Sequence, residues 1–343
     1  MVTTNRKIYI DVVAGIMIFW MIWGHCSFFS HYGSRAMGVY KFLSFYMPWF
    51  FYKSGSFFLQ RSHKDLLRKD LQKYIKPFLV YSIIGWSVWS ICGLIDGSRS
   101  MFFCLLAPVK SFYKAGNIAG NGALWFLLSL FFVRQIGNVC LHFQSKQSGF
   151  KWIVVLTIII SFSLAFLLFK VEWYNHSAWF GNMFTGLFFF LFGYLFKNIE
   201  QNKWVFLVSV LVYASCVISY FTGIINDFPY LYMHANRMYR GNYLLFFPMA
   251  VAGIIMTNNV FRFLCKRVRF RILEYIGRNS MKLYVTHWVL FTIVMFVAKH
   301  VFNIESAKHL FYILLMSSIL CLPLISKLID TIKSKNKFFG KIL

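Results

Sequence analysis

Runs of about twenty mostly apolar residues recur along the whole chain, separated by short segments rich in Lys and Arg. No other feature limits the fold so strongly. Each run is long enough to cross the hydrocarbon core of a bilayer as one helix. Little polar sequence is left over from which to build a soluble domain. Composition agrees, with 59% hydrophobic and 13% charged residues, where soluble domains carry about 45–50% and about 25%. Aromatic residues reach 21%, including 42 Phe, as suits lipid-facing helices and interfacial belts.

The runs fall near 8–29, 41–60, 77–95, 122–142, 152–170, 179–197, 204–222, 243–260, 280–299 and 309–330. The expected fold is all-α: a polytopic integral membrane protein of about ten transmembrane helices, with residues 1–343 forming one domain and a basic tail over about 331–343. The first run is long for the apolar core of a signal peptide and lacks a small-residue cleavage site, so it is expected to be retained as a span. Polar residues inside four of the runs are compatible with burial in a bundle.

The net charge is +26, from 36 Lys and Arg against 10 Asp and Glu. Such a balance would suit nucleic acid, but here the charges sit in short loops between spans. That is the pattern of topology signals and anionic-lipid contacts, so membrane lipids are the expected partner and nucleic acid is not. One alternating set of loops holds roughly twice the Lys and Arg of the other, which puts both termini in the cytoplasm. Two cytoplasmic loops, 61–76 and 261–274, are more basic than topology needs. They suit anionic headgroups or a phosphate-bearing cytosolic ligand.

Some patterns point away from other chemistries. The seven cysteines are scattered singly, so neither a disulfide framework nor a zinc site is expected, and no metal is called for. The stretch Gly116-Asn117-Ile118-Ala119-Gly120-Asn121-Gly122 is not followed by G-K-[ST] and is expected to be a flexible loop or re-entrant segment. Asn175-His176-Ser177 is a formal but weak sequon.

Ionisable groups within a bilayer are costly unless paired, which makes them default functional candidates. Here they are His25, Lys53, Arg134 and His287, with Asp11 near the cytoplasmic end of the first span. His25 lies about 25 Å along that helix, in the outer half of the membrane. A neutral imidazole there serves either as a general base towards a hydroxyl or as a hydrogen-bonded packing residue. Lys53 and Arg134 each have the alternative of snorkelling or pairing. Asn279 stands where a helix N-cap would sit, and Leu283, Tyr284 and His287 share the face that follows.

Four segments, taken in order, resemble the membrane-bound acyltransferase 3 family. Arg6-Lys7-Ile8-Tyr9-Ile10-Asp11, followed by Gly15 and Gly24-His25, is similar to its opening helix. Tyr46-Met47-Pro48-Trp49-Phe50-Phe51 with Ser54-Gly55 resembles the segment of its fucose 4-O-acetylase-like branch. Leu124-Trp125-Phe126-Leu127 looks like the family's LWFL, and Gly277 to His287 like its G-x-x-S-x-x-x-Y-x-x-H helix.

The resemblance implies ten helices in the inner (plasma) membrane, an acyl-CoA donor from the cytosol (acetyl-CoA the first expectation), and O-acylation of a cell-envelope or exported glycan. It implies that His25 is catalytic. Asp11, Lys53, Ser54, Trp125, Phe126, Arg134, Ser280, Tyr284 and His287 would shape the pocket, and Arg61, Arg68, Lys69 and Lys73 would meet the CoA phosphates. Where the family usually has Arg or Lys one helix face below the histidine, this chain has Ala14, and Lys53 is the candidate to supply that cation. The competing readings are an exporter or flippase for lipid-linked glycan and a repurposed family member.

Overall fold

The computed structural model describes residues 7–32, 40–146, 151–170, 179–197, 201–233, 237–238 and 242–335. The sequon at 175–177 and the tail beyond 335 lie outside them. The described chain is helical. Its helices are α1 (Ile8–Ser30), α2 (Tyr46–Ser56), α3 (His63–Ile95), α4 (Met101–Ala115), α5 (Trp125–Ser145), α6 (Trp152–Lys170), α7 (Trp179–Phe196), α8 (Lys203–Phe221), α9 (Tyr243–Leu264), α10 (Arg271–Arg278), α11 (Ser280–His300) and α12 (Ala307–Lys335). A two-residue antiparallel ribbon pairs β1 (Leu231–Tyr232) with β2 (Arg237–Met238).

Among the described residues, seven helices are long and apolar enough to cross a membrane: α1, α3, α5 with its preceding turn, α8, α9, α11 and α12. The apolar parts of α6 and α7 are shorter. These elements make the chain a polytopic membrane protein. Several expected boundaries change. The run at 41–60 is not one span: α2 covers 11 residues and follows a separate 3-10 turn at Lys41–Leu43. At 1.5 Å per residue, α2 is about 16 Å long, too short to cross alone. The run at 77–95 is the end of a 33-residue helix that begins at His63 and passes through a π turn at Leu71–Ile75. The segment 96–121, between two expected spans, contains α4, and α10 begins within the expected loop 261–274.

Packing follows the aromatic content. Trp49, Tyr52, Phe45, Phe51, Phe189, Phe190, Phe246, Phe291 and Phe311 are among the largest fully buried side chains. They come from α2, α7, α9, α11 and α12 and the segment before α2, so the short α2 is enclosed where a lipid-facing span would be exposed. The amphipathic α10 packs on the first half of α1. The two approach backbone to backbone: a Cβ on Gly277 would lie 1.8 Å from the Asp11 carbonyl oxygen, and one on Gly15 would lie 2.1 Å from that of Leu273. Only glycine fits at both places. This contact fixes the start of α11 against α1, and so sets the depth at which the two histidines face each other.

Candidate active site

His25 of α1 and His287 of α11 stand with Nδ1 of the first 2.8 Å from Nε2 of the second. Their rings are parallel, with centroids 5.1 Å apart and 2° between planes. His287 is fully buried, and its Nδ1 lies 2.7 Å from the Tyr284 carbonyl oxygen and 3.2 Å from that of Leu283. A carbonyl only accepts, so Nδ1 of His287 carries a hydrogen. With both rings uncharged, Nε2 of His287 is then the acceptor and Nδ1 of His25 the donor. That leaves the basic lone pair of His25 on Nε2. The backbone of α11 thereby selects the tautomer of a residue on α1.

His25 is half-buried and forms part of the wall of a cavity of about 440 Å³. The lining also includes the aromatic rings of Tyr40, Tyr46, Trp125, Tyr230, Tyr284 and Trp288, together with a further histidine, His31. Gly24, next to His25, makes room for one of them, since a Cβ there would lie 2.4 Å from the Tyr40 ring. Trp20 donates from Nε1 to the Tyr40 carbonyl at 2.8 Å and stacks on its ring. Burial raises the Tyr40 phenol well above its ordinary pKa, with Tyr230 and Tyr46 adding to the shift, so it stays an O–H. Tyr284 donates its hydroxyl to the Ala123 carbonyl, which fastens α11 to the turn before α5. A polar pair in an aromatic-walled cavity suits a base acting on a polar ligand that stacks on rings.

A family model described as an acyltransferase domain matches residues 7–327. The chain belongs to the acyltransferase 3 family. It is a membrane acyltransferase. No curated protein and no solved structure matches it.

In this acyltransferase the residues singled out from sequence fall into three groups. His25, Trp125 and Tyr284 line the cavity, with His287 directly behind His25. Phe126 sits behind the wall with Ser280. Both border a smaller cavity of about 60 Å³ that shares Met47 and Tyr284 with the main one. The third group lies elsewhere. Arg134 donates from Nε to Asp70 at 2.9 Å and from a guanidinium nitrogen to Ser54 at 3.3 Å, and Gln135 donates to the same Asp70 oxygen at 3.0 Å. Arg134 and Ser54 therefore belong to a buried ion-pair cluster joining α2, α3 and α5, outside the histidine cavity. Asp11 forms an ion pair with Arg278 of α10, with Oδ2 3.5 Å from Nε. Lys53 borders a third cavity near Lys7 and Ile10, at the far end of α1 from His25, with its ammonium 5.1 Å from the Trp49 ring centroid. Ala14 is fully buried in the core, one helical turn beyond Ile10. Arg61, Arg68, Lys69 and Lys73 are exposed along the start of α3 and the segment before it.

Two local expectations are corrected. Asn279 stands at the N-cap position of α11 but makes no capping bond. Its amide donates to the Tyr275 carbonyl and its oxygen accepts from Ser326. The glycine-rich stretch is a buried, tied turn: Asn121, fully buried, donates to the Val285 carbonyl at 3.1 Å, and Asn117 donates to that of Gly122 at 3.0 Å. Tyr40, Tyr230 and Trp288 were not expected at the site. Trp288 adjoins a candidate histidine, which was a usable signal. Tyr40 and Tyr230 lie between helices, where no periodicity marks them. A larger cavity, about 720 Å³ between α6, α7, α8 and α9, is apolar, with no ionisable side chain among its described lining residues.

Proposed function

We propose that this enzyme moves an acyl group, acetyl in the first instance, from cytosolic acyl-CoA to a hydroxyl of a cell-envelope or exported glycan or its lipid-linked precursor, in the plasma membrane. The observation that carries the reading is the His25–His287 pair at the wall of the aromatic cavity. Nε2 of His25 takes the proton of the acceptor hydroxyl as the oxygen attacks the thioester carbonyl. The C–O bond forms, the C–S bond breaks, and the departing thiolate receives the proton held by His25. His287 orients the base and, by accepting its Nδ1–H, stabilises the positive charge that forms on it. The rings of Trp125, Trp288, Tyr40 and Tyr46 suit the apolar faces of a sugar. The Tyr40 hydroxyl, kept protonated by its surroundings, suits its polar edges.

The test is mass spectrometry of the surface glycan from cells with the wild-type gene, without it, and with His25→Ala. An acyl mass that is lost in both defective strains, on a glycan still exported, supports the enzyme. Loss of the surface glycan itself would favour an exporter. An acyl pattern identical in all three strains would sink the acyltransfer reading for this glycan and favour a repurposed member.

A further inference from the structure

The helix α4 leaves the bundle where two spans end and comes back to it without crossing the bilayer. It follows the polar corner Asp96-Gly97-Ser98-Arg99 at the end of α3, and Oδ2 of Asp96 lies 3.8 Å from Nε2 of His300, the last residue of α11. At the start of α4, Phe103 packs on Trp89 with ring centroids 6.0 Å apart, and the Cys104 carbonyl accepts from Nε1 of Trp86 at 2.9 Å. Five residues past its end the chain is back on the same stretch of α3: a Cβ on Gly85 would lie 2.8 Å from the Gly120 carbonyl oxygen. The helix has 15 residues and is about 22 Å long. With both ends held to one stretch of one span, it cannot reach the other bilayer face.

Among the described side chains of α4, only Cys104 and Ala107 are buried. Phe102, Leu105, Leu106, Val109 and Tyr113 are exposed and fall within an arc of roughly 100° around the helix. Phe102 and Val109 each reach 72% exposure, so the bundle leaves this arc uncovered. Lys110 and Lys114, also exposed and one turn apart, lie between the arc and the buried side. A helix with aromatic and aliphatic side chains on one face and lysines beside them suits a membrane interface, where acyl chains cover the apolar face and the ammonium groups reach phosphate. We infer that α4 is an interfacial helix that binds anionic phospholipid, with its apolar arc among the acyl chains and Lys110 and Lys114 on the headgroup phosphates. Charge selects the lipid: a zwitterionic headgroup offsets its own phosphate, whereas an anionic one leaves a net charge for the lysines. This binding does not rest on the acyl-transfer reading.

The experiment uses the purified full-length protein in nanodiscs of equal parts phosphatidylcholine and phosphatidylglycerol, with the photo-crosslinking residue p-benzoylphenylalanine in place of Val109. Mass spectrometry after irradiation identifies what covers α4. Phospholipid adducts are expected, with phosphatidylglycerol favoured roughly fivefold. Lys110→Gln/Lys114→Gln in the same protein should bring the ratio back to that of the mixture. Lys308→Gln, which removes an exposed lysine from the start of α12, should leave it unchanged. The same crosslinker in place of the exposed Leu211 of α8 should take both lipids equally in every variant. Thermal melting of each variant confirms that the fold is kept. Absence of lipid adducts at 109 overturns the inference, since the helix then stands in water. A crosslink to a second copy of the chain overturns it in favour of a protein interface. Lipid adducts without a preference for phosphatidylglycerol, or with one that survives loss of both lysines, overturn it too, and leave α4 an ordinary lipid-facing surface.

Discussion

His25 and His287, separated by 262 positions in sequence, meet through a 2.8 Å hydrogen bond between parallel rings. The second histidine is itself held by the carbonyls of Leu283 and Tyr284, four and three residues before it. Orientation of the candidate base is thus set by the backbone of another helix.

Replacing His25 with Ala should lower acyl transfer about 10²–10⁴-fold, the usual contribution of a positioned base. His287→Gln keeps an acceptor towards His25 and a donor towards the Tyr284 carbonyl, while His287→Ala keeps neither. The glutamine variant should therefore retain more activity than the alanine variant. In both, the loss should fall on kcat rather than on KM for the donor. Steady-state kinetics on purified protein checks this, and equal loss in the two variants would count against the orienting role.

Tyr284→Phe removes the hydroxyl that donates to the Ala123 carbonyl. Leaving that buried acceptor unsatisfied should cost about 1–3 kcal/mol. A lowered melting temperature in detergent is the expected outcome, together with weaker transfer, since Ala123 and Tyr284 both line the cavity.

The helices were legible in the sequence because lipid demands a long apolar run from each span, a requirement that leaves a plain trace. It fails for α2 and α10. Both are short, and their neighbours cover them, so composition alone cannot tell them from a span or a loop. The site was half legible. His25, Tyr284 and His287 stand out as polar residues in apolar helices. Tyr40 and Tyr230 reach the cavity from connecting segments, where only the tertiary fold decides what faces what. Arg134 drew attention for the same reason as His25, but its partner Asp70 lies 64 positions away, beside a π turn that no simple periodicity announces.

That ion pair gives a separate test. Asp70 is fully buried, and Arg134→Met leaves its carboxylate with Gln135 alone among the two side chains that donate to its Oδ2. Breaking one half of a buried pair should cost about 3–5 kcal/mol. The double variant Asp70→Asn/Arg134→Met should melt closer to wild type than Arg134→Met does. Thermal unfolding of the three proteins measures the difference, and a double variant no more stable than the single one would contradict the pairing.

Gly277→Ala should be more damaging than its size suggests. Its Cβ would lie 1.8 Å from the Asp11 carbonyl oxygen, a backbone atom that cannot swing aside. Overpacking of this kind costs about 1–3 kcal/mol or more. A lower yield of monodisperse protein and a fall in activity are expected, because the shift would propagate along α11 to His287.

The ladder of donors and acceptors around the two imidazoles also fixes how many protons the site can hold. Nδ1 of His287 already carries a hydrogen and is pinned to main-chain oxygen, so it has no lone pair to offer. When Nε2 of His25 gains a proton, Nδ1 of the same ring still donates to Nε2 of the buried His287, and the pair is then full. It is a reservoir with a capacity of one. Under the proposed chemistry, a second acceptor cannot be activated until the first proton has left with the spent donor. Deprotonation and product departure are thereby locked into strict alternation, one acyl group per charge returned.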